Sequence, residues 1–430
     1  MPRTIIVGLD GVPFGLVQDL ARNGVMPCMA EIISEGVFKP LSSSTPEVSS
    51  VAWASVITGV NPGTHGIFGF TELTPETYKM RFPNSSDLKA PPFWEQWPGR
   101  SVVINVPGTY PARPMNGALI SGFVSPDFQR SVYPKSLIPS LSTLGYRLDV
   151  DARKAHHSMD AFLEDLDRTL EARVKACRHL WTSFDWQTFM IVFTGTDRLM
   201  HFLWDAYEDE THKYHDRFVD HFTKIDRAIG EIRDSLTDDD RLILHSDHGF
   251  ERLEKDVYVN HVLVENGFLR LESDRGAGLE GISDETAAFA LDPGRIYLHR
   301  RGQYARGTVD EIKGEKLLSE MAELFLALEV DGRKVIRAVY RKEDAYSGPC
   351  MSQSPDLVLV ASEGFNLRGK AQADVLAQQS PFTGKHTQDT GFLLVRNPVD
   401  ENVIPEQPTV CDILAIAESH PSATDCACLG

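Results

Sequence analysis

The stretch RLILHSDHGF, residues 241–250, runs an apolar segment, Leu242 to Leu244, directly into His245, Ser246, Asp247 and His248. An Asp-His-Gly sequence is an ordinary polar turn. It is also a way to end a buried strand in metal-binding donors, and the rest of the chain supplies more of them. TIIVGLD (4–10) is an apolar strand ending in Asp10, and FMIVFTGTD (189–197) is a strand followed by a two-residue turn and Asp197. In TDRLMH, His201 stands four residues after Asp197, on the same face of a helix. His386, in TGKHTQDTGFLLV, stands five residues before another apolar strand.

The chemistry of these residues follows from their number and type. In open α/β sheets the ligand crevice lies at the carboxyl ends of the strands. Strand 4–9, strand 189–195 and strand 242–246 therefore bring Asp10, Asp197, Asp247 and His248 toward one place. Adding His201 and His386 makes three carboxylates and three imidazoles, enough for two divalent ions. Mixed nitrogen and oxygen donors suit zinc, or alternatively manganese, better than magnesium or calcium. Two such ions about 4 Å apart can stabilise both the entering and the leaving oxygen of an in-line displacement. A hydroxyl is available in STPEVSSVAWASVITG, where Ser49 and Ser50 open a helix. Backbone N–H groups there can hold an anionic oxygen, and a serine whose pKa a metal lowers can attack. The same pair also reads as plain helix-capping serines.

Strands and helices alternate along the chain. Residues 14–36 have helix spacing, broken near Pro27. Residues 49–59 have a serine start and a glycine stop. SVVINV (101–106) is a strand, and helices are expected over 158–182, 197–206 and 214–235. Residues 257–271 read as a short helix followed by a strand. Strands are expected at 295–300, 355–361 and 391–396, and a helix at 410–419. Continuous apolar strands of this kind are buried on both faces. The fold expected is α/β, a doubly wound, mainly parallel sheet flanked by helices. It forms one catalytic domain over 1–430, with accessory insertions near 68–185 and 250–385 shaping the substrate pocket.

Composition narrows the partners. The chain has 430 residues, 42% of them hydrophobic, enough for a large core. Acidic residues number 61 against 43 basic ones, for a net charge of −18, which argues against a nucleic-acid-binding face. No apolar run is long enough to span a membrane, TIIVGLD enters a strand without a leader, and the chain reads as a cytoplasmic enzyme. The six cysteines include no C-x-x-C; Cys426 and Cys428 form a C-x-C that reads as tail or as a weak metal or redox signal. Composition leaves the oligomeric state open.

The segments IIVGLDGV, SSVAWASVITGVNPGTHGIFGF, INVPGTYPARPMNGALISGF, GTDRLMHFLW, HSDHGF and GKHTQDTGFLLV, taken together and in this order, resemble the alkaline phosphatase superfamily. Within it they are most similar to the branch of type I phosphodiesterases, nucleotide pyrophosphatases and related phosphohydrolases and phosphomutases. The resemblance implies one metal held by Asp10, Ser49, Asp247 and His248, and a second held by Asp197, His201 and His386. It puts Ser49 at the nucleophile position, with Ser50 next in line, and leaves His245 and Ser246 in supporting or packing roles. Ala52 stands where nucleotide pyrophosphatases carry an asparagine. The sulfatase signature C-x-P-x-R is absent, and GLDGVPFG does not have dinucleotide-binding spacing.

The activity implied is hydrolysis of a phosphodiester or nucleotide pyrophosphate through a phosphoseryl intermediate. The substrate would be a small-molecule phosphate ester or nucleotide. A phosphomonoesterase, phosphomutase or phosphoryl transferase on the same scaffold is the alternative. Arg198 and Lys385 flank ligand positions, where each either reaches a phosphate oxygen or stays a solvated charge. His65 reads as structural. Trp53, Phe68, Phe70 and Trp204 are either core or an apolar wall for a leaving group.

Overall fold

In-register parallel pairing is what brings the strand ends together. In the computed structural model, which describes residues 2–272, 274–396 and 403–418, the strand Thr4–Leu9 pairs in parallel with Thr188–Phe193 on one side and Arg241–His245 on the other. Thr4 lies opposite both Thr188 and Arg241, and Gly8 opposite both Val192 and His245. The residues that follow each strand therefore leave the sheet at one level and one edge. Cys426 and Cys428 lie outside the described residues.

These strands belong to an eight-stranded sheet in the order Gly36–Leu41, Gly391–Arg396, Arg241–His245, Thr4–Leu9, Thr188–Phe193, Ser101–Val106, Gly117–Ser121 and Val132–Tyr133. The five from Arg241–His245 to Gly117–Ser121 are mutually parallel, and each strand outside them pairs antiparallel with its neighbour. The strands Thr4–Leu9, Ser101–Val106, Thr188–Phe193 and Arg241–His245 are buried along their whole length. That burial is what their unbroken Val, Ile and Leu runs require, because helices cover both faces. The expected doubly wound, mainly parallel α/β class is thus the observed one.

Contacts along the chain form two compact units. The first comprises Met1–Val60, Asn84–Phe250 and His386–Gly430, and contains the large sheet. The second comprises Asn61–Pro83 and Glu251–Lys385. Its own core gathers Phe289, Ile296, Met321, Phe325 and Val335 around the antiparallel strands Ala288–Leu291, Arg295–Leu298, Leu357–Ala361 and Ile336–Arg341. Among the described residues no helix is long and apolar enough to cross a membrane.

The helical pattern over 14–36 forms Phe14–Arg22 and Pro27–Glu35, with the break expected near Pro27, and the chain then turns into the edge strand Gly36–Leu41. Pro40 sits in that strand at no cost to the sheet, since an edge position can lack an N–H donor. One local expectation is corrected: residues 257–271 contain the helix Val259–Glu265, but no strand follows it. Instead the amides of Phe268 and Leu269 fold back onto the Leu263 carbonyl, at 2.8 and 3.1 Å, and leave only an isolated bridge from Leu271 to Ile282.

The helix Ser49–Thr58 matters most to the site. Every residue in it except Ser50 is buried, and it ends where Gly59 adopts φ +69° and returns its N–H to the Ser55 carbonyl at 2.8 Å. Trp53 anchors the helix to the sheet by lying on Gly8. A Cβ at Gly8 would sit 2.2 Å from Trp53 Cη2 and 3.1 Å from Val192 Cγ2, so the central strand needs a glycine there. Gly8→Ala is therefore expected to destabilise the protein by about 1–3 kcal/mol in urea unfolding. Adding Trp53→Phe, which removes the clashing end of the indole, is expected to cost less than the two single changes summed. Additive costs would show that the contact does not set the helix position.

Candidate metal and nucleophile site

All seven residues singled out as nucleophile or ligands lie in the first unit, and the fold brings them together. Asp10 follows the strand Thr4–Leu9. Asp197 and His201 share the helix Gly195–Glu208, joined to the strand Thr188–Phe193 by Thr194 alone. Asp247 and His248 follow Arg241–His245, and His386 precedes Gly391–Arg396. Asp10, Ser49, Asp197, Asp247 and His248 are all buried.

Ser49 does not cap its helix. The cap position is Val48, with no side-chain cap, and Ser49 is the first helical residue. Its Oγ instead donates toward Asp10 Oδ1 at 3.3 Å and lies 3.1 Å from His248 Nε2. The Ser50 hydroxyl is buried without a hydrogen-bond partner among the described residues. The capping reading of the serine pair is thus not what the helix shows.

Backbone carbonyls set the imidazole orientations. His248 Nδ1 lies 3.0 Å from the Gly249 carbonyl, and His386 Nδ1 lies 3.1 Å from the Glu47 carbonyl. A carbonyl only accepts, so each Nδ1 carries the hydrogen and each Nε2 turns inward. There His386 Nε2 meets Asp197 Oδ1 at 3.0 Å and His201 Nε2 at 3.1 Å, while His201 Nε2 is 3.4 Å from the same Oδ1. His248 Nε2 lies 3.6 Å from Asp10 Oδ1 and 3.4 Å from Asp247 Oδ2. The rings of His248 and His386 stack at 3.7 Å. Two groups of donor atoms converge to within 4.8 Å of one another: Asp197, His201 and His386, and Asp10, Asp197 and His248.

The electrostatics describe a site short of positive charge. Burial, and after it the charges of Asp247 and Asp197, hold the Asp10 carboxyl well above the usual carboxylate range. Burial pushes Asp247 up to about 7, against the Gly11 amide that donates to its Oδ1 at 3.1 Å. Burial pulls Asp197 the same way, but the charge of His201 and the hydrogen bond and charge of His386 outweigh it and hold Asp197 well below the usual range. His386 moves up in return: burial opposes its charge, and the bond to Asp197 wins. Burial, and then the charge of His386, keep His248 well below the usual imidazole range. Asp10 Oδ2 and Asp247 Oδ2 are buried with no hydrogen-bond partner among the described residues. Unpaired buried carboxylate oxygens beside inward-facing imidazole nitrogens are what a divalent cation would satisfy, so the donor set fits one.

The flanking cations are not solvated. Arg198 donates from Nη1 to Asp197 Oδ2 at 2.8 Å, and from Nη2 and Nε to Asp149 Oδ2 at 3.0 and 3.3 Å. Its guanidinium lies 4.5 Å over the Phe123 ring. Lys385, in the second unit, pairs with Glu251 at 2.9 Å. His65 is buried, accepts the Ile67 amide at Nδ1 at 3.1 Å, and is lowered by burial to about 3. His245 packs on Trp53 at 5.2 Å, and Ser246 Oγ accepts the Phe392 amide at 2.9 Å.

Of the four aromatics read as either core or apolar wall, Trp53 and Phe68 resolve into packing. Trp53 is fully buried in the core, and Phe68 packs edge-on against Tyr346 within the second unit. Phe70 is half-buried. Trp204 stacks on Phe250 at 5.9 Å and donates Nε1–H to Glu208 at 2.7 Å. Phe250 itself, which sequence reasoning passed over, lies edge-on to His201 at 4.8 Å and 5.3 Å from His386. Its place directly after HSDHG was the available signal. Asp149 had none, since YRLDVD reads as an ordinary loop.

A family model described as type I phosphodiesterase / nucleotide pyrophosphatase matches residues 4–389. No curated protein matches the sequence. Among solved structures, phosphonoacetate hydrolase from Sinorhizobium meliloti 1021 in complex with phosphonoacetate is similar over 97% of this chain and 95% of its own, at 19% identity and a TM-score of 0.65. Murine ectonucleotide pyrophosphatase / phosphodiesterase 5, in an inactive form with AMP, is similar over 98% of this chain and 96% of its own, at 14% identity and a TM-score of 0.54. The human protein of that name is similar over 96% and 92%, at 14% identity and 0.53. These structural likenesses are likenesses of fold.

The buried carboxylates also set how the chelated protein responds to pH. Asp247 ionises with more difficulty folded than unfolded, so its protonated form favours the folded state. That contribution is complete below the unfolded carboxylate pKa and is lost as pH rises through about 7. In excess chelator at pH 8, Asp247→Asn is expected to stabilise the protein by about 1–3 kcal/mol in urea unfolding. The gain should vanish below about pH 4, where the carboxyl is protonated in both states. A variant less stable than the parent at pH 8 would show that the carboxylate is compensated.

Proposed function

The chain belongs to the type I phosphodiesterase / nucleotide pyrophosphatase family and is a metal-dependent phosphoric ester hydrolase, and from this we propose that it cleaves a phosphodiester or nucleotide pyrophosphate-type bond with Ser49 as nucleophile. In this reading Asp10, Ser49, Asp247 and His248 would hold one divalent cation, and Asp197, His201 and His386 a second. Zinc suits the mixed donors best, with manganese the alternative. Bound cations would lower the pKa of the Ser49 hydroxyl and neutralise charge on the phosphoryl oxygens.

The single observation that carries the proposal is where the Ser49 hydroxyl points. It leaves its helix uncapped and faces Asp10 Oδ1 and His248 Nε2 at 3.3 and 3.1 Å. From there Oγ attacks phosphorus, and a new P–O bond forms as the bond to the leaving oxygen breaks. The hydroxyl proton passes to solvent. Water then attacks the phosphoseryl group, releasing the phosphorylated product and restoring the serine. His386 and His248 keep their Nε2 atoms toward the reacting centre because their Nδ1–H groups are committed to carbonyls. The preference for a diester rests on Arg198. A monoester brings an additional charge, and Arg198 is already shared between Asp149 and Asp197. The known relatives fit a small anionic phosphorus compound as substrate: one acts on phosphonoacetate and another binds AMP.

The test is turnover of bis-p-nitrophenyl phosphate against p-nitrophenyl phosphate, on metal-stripped protein resupplied with zinc or manganese. The diester is expected to be the better substrate. Ser49→Ala is expected to lower kcat by at least about 10³-fold while metal content by elemental analysis is kept. Preference for the monoester would overturn the substrate class, and a fully active Ser49→Ala would overturn the nucleophile.

A further inference from the structure

Asp197 divides its two oxygens between two environments. Oδ1 faces His386 Nε2 and His201 Nε2 at 3.0 and 3.4 Å, within the candidate ligand cluster. Oδ2 accepts from Arg198 Nη1 at 2.8 Å. Arg198 is fixed in turn. Asp149 Oδ2 accepts both its Nη2 and its Nε, and the Phe123 ring lies beneath the guanidinium plane at 4.5 Å.

Asp149 is itself held, its Oδ1 accepting the Val150 amide at 2.9 Å and facing the Thr194 hydroxyl at 3.5 Å. Thr194 Oγ1 also receives Arg173 Nη1 at 3.0 Å and Asn105 Nδ2 at 3.2 Å. Both donors are buried. Thr194 is the residue that joins the strand Thr188–Phe193 to the helix carrying Asp197. The brace therefore ties Asp197 to the adjacent end of the sheet by a continuous run of hydrogen bonds.

We propose that Arg198, braced by Asp149, is a positioning residue that restricts Asp197 to one-oxygen ligation of the cation held with His201 and His386. This rests on the metal assignment made under the proposed function. A carboxylate free to turn can offer both oxygens to one cation, filling a position that a catalytic site keeps open for substrate or water. Arg198 forecloses that by occupying Oδ2. Because Asp149 cancels the charge of Arg198, the brace orients Asp197 without adding net positive charge beside a cation site.

The test uses cobalt(II) in place of the native metal, since low-coordinate cobalt absorbs visible light far more strongly than higher-coordinate cobalt. Arg198→Met, close to arginine in length but unable to donate, is expected to weaken the visible bands relative to the parent while keeping cobalt stoichiometry. With bis-p-nitrophenyl phosphate, kcat is expected to fall about 10–100-fold, with a smaller change in KM. Arg198→Lys keeps one donor for Oδ2 and is expected to recover part of both signals. Asp149→Asn should shift the spectrum in the same direction as Arg198→Met. A cobalt spectrum of Arg198→Met superimposable on the parent's overturns the inference even if activity falls, because loss of fold or substrate contact lowers kcat without changing coordination. Failure of the parent itself to bind cobalt, or a cobalt spectrum unchanged in His386→Ala, would instead defeat the metal assignment beneath it.

Discussion

Three carboxylates, Asp10, Asp197 and Asp247, are buried at one edge of one sheet, and the first unit is organised around that constraint. Like charges removed from water repel strongly and lose their hydration together. Two imidazoles and Arg198 hold Asp197 below the usual carboxylate range, whereas burial and the neighbouring carboxylates leave Asp10 and Asp247 above it. Among the described residues no hydrogen-bond donor reaches one oxygen of Asp10 or one of Asp247. A fold that gains only a few kcal/mol overall keeps such a cluster when something else gains from it. The cluster supplies donor geometry and lacks charge balance, which is what a bound divalent cation would provide.

The scaffold holds that geometry by devices outside the cluster. Parallel register levels the strand ends. The Gly8–Trp53 contact seats the helix that presents Ser49, and carbonyls of Gly249 and Glu47 aim the two histidines. Phe250 packs against His201 and His386, filling the apolar side of a site whose other side is ionic. Each device fixes a torsion or a translation of one donor, so the clustered side chains are held in place by the fold itself.

Much of this was legible along the chain. The continuous apolar runs predicted buried parallel strands, and the polar residues at their ends marked where the candidate ligands converge. The spacing of Asp197 and His201 placed both on one helical turn, where they are found. Other features were not legible. The strand Gly36–Leu41 is not evident in the sequence, because its strand character comes from pairing with Gly391–Arg396, more than three hundred residues away in sequence. Arg198 reads as a solvated charge because its brace, Asp149, lies 49 residues upstream in a loop without periodicity. The four candidate aromatics could not be sorted, since an aromatic side chain suits a core and a binding wall equally well.

The sequence by itself determined the donor inventory, the strands that carry it and the class of sheet, because these depend on residue type and local period. Tertiary structure alone decided three things: that Ser49 faces Asp10 and His248 rather than capping its helix, that His386 turns Nε2 inward, and that Arg198 belongs to Asp197 and Asp149 rather than to solvent. Each depends on the direction of a side chain toward a partner distant in sequence, such as the Glu47 carbonyl 339 residues from His386. Local propensity fixes where a side chain is attached; packing fixes which partner its polar atoms reach.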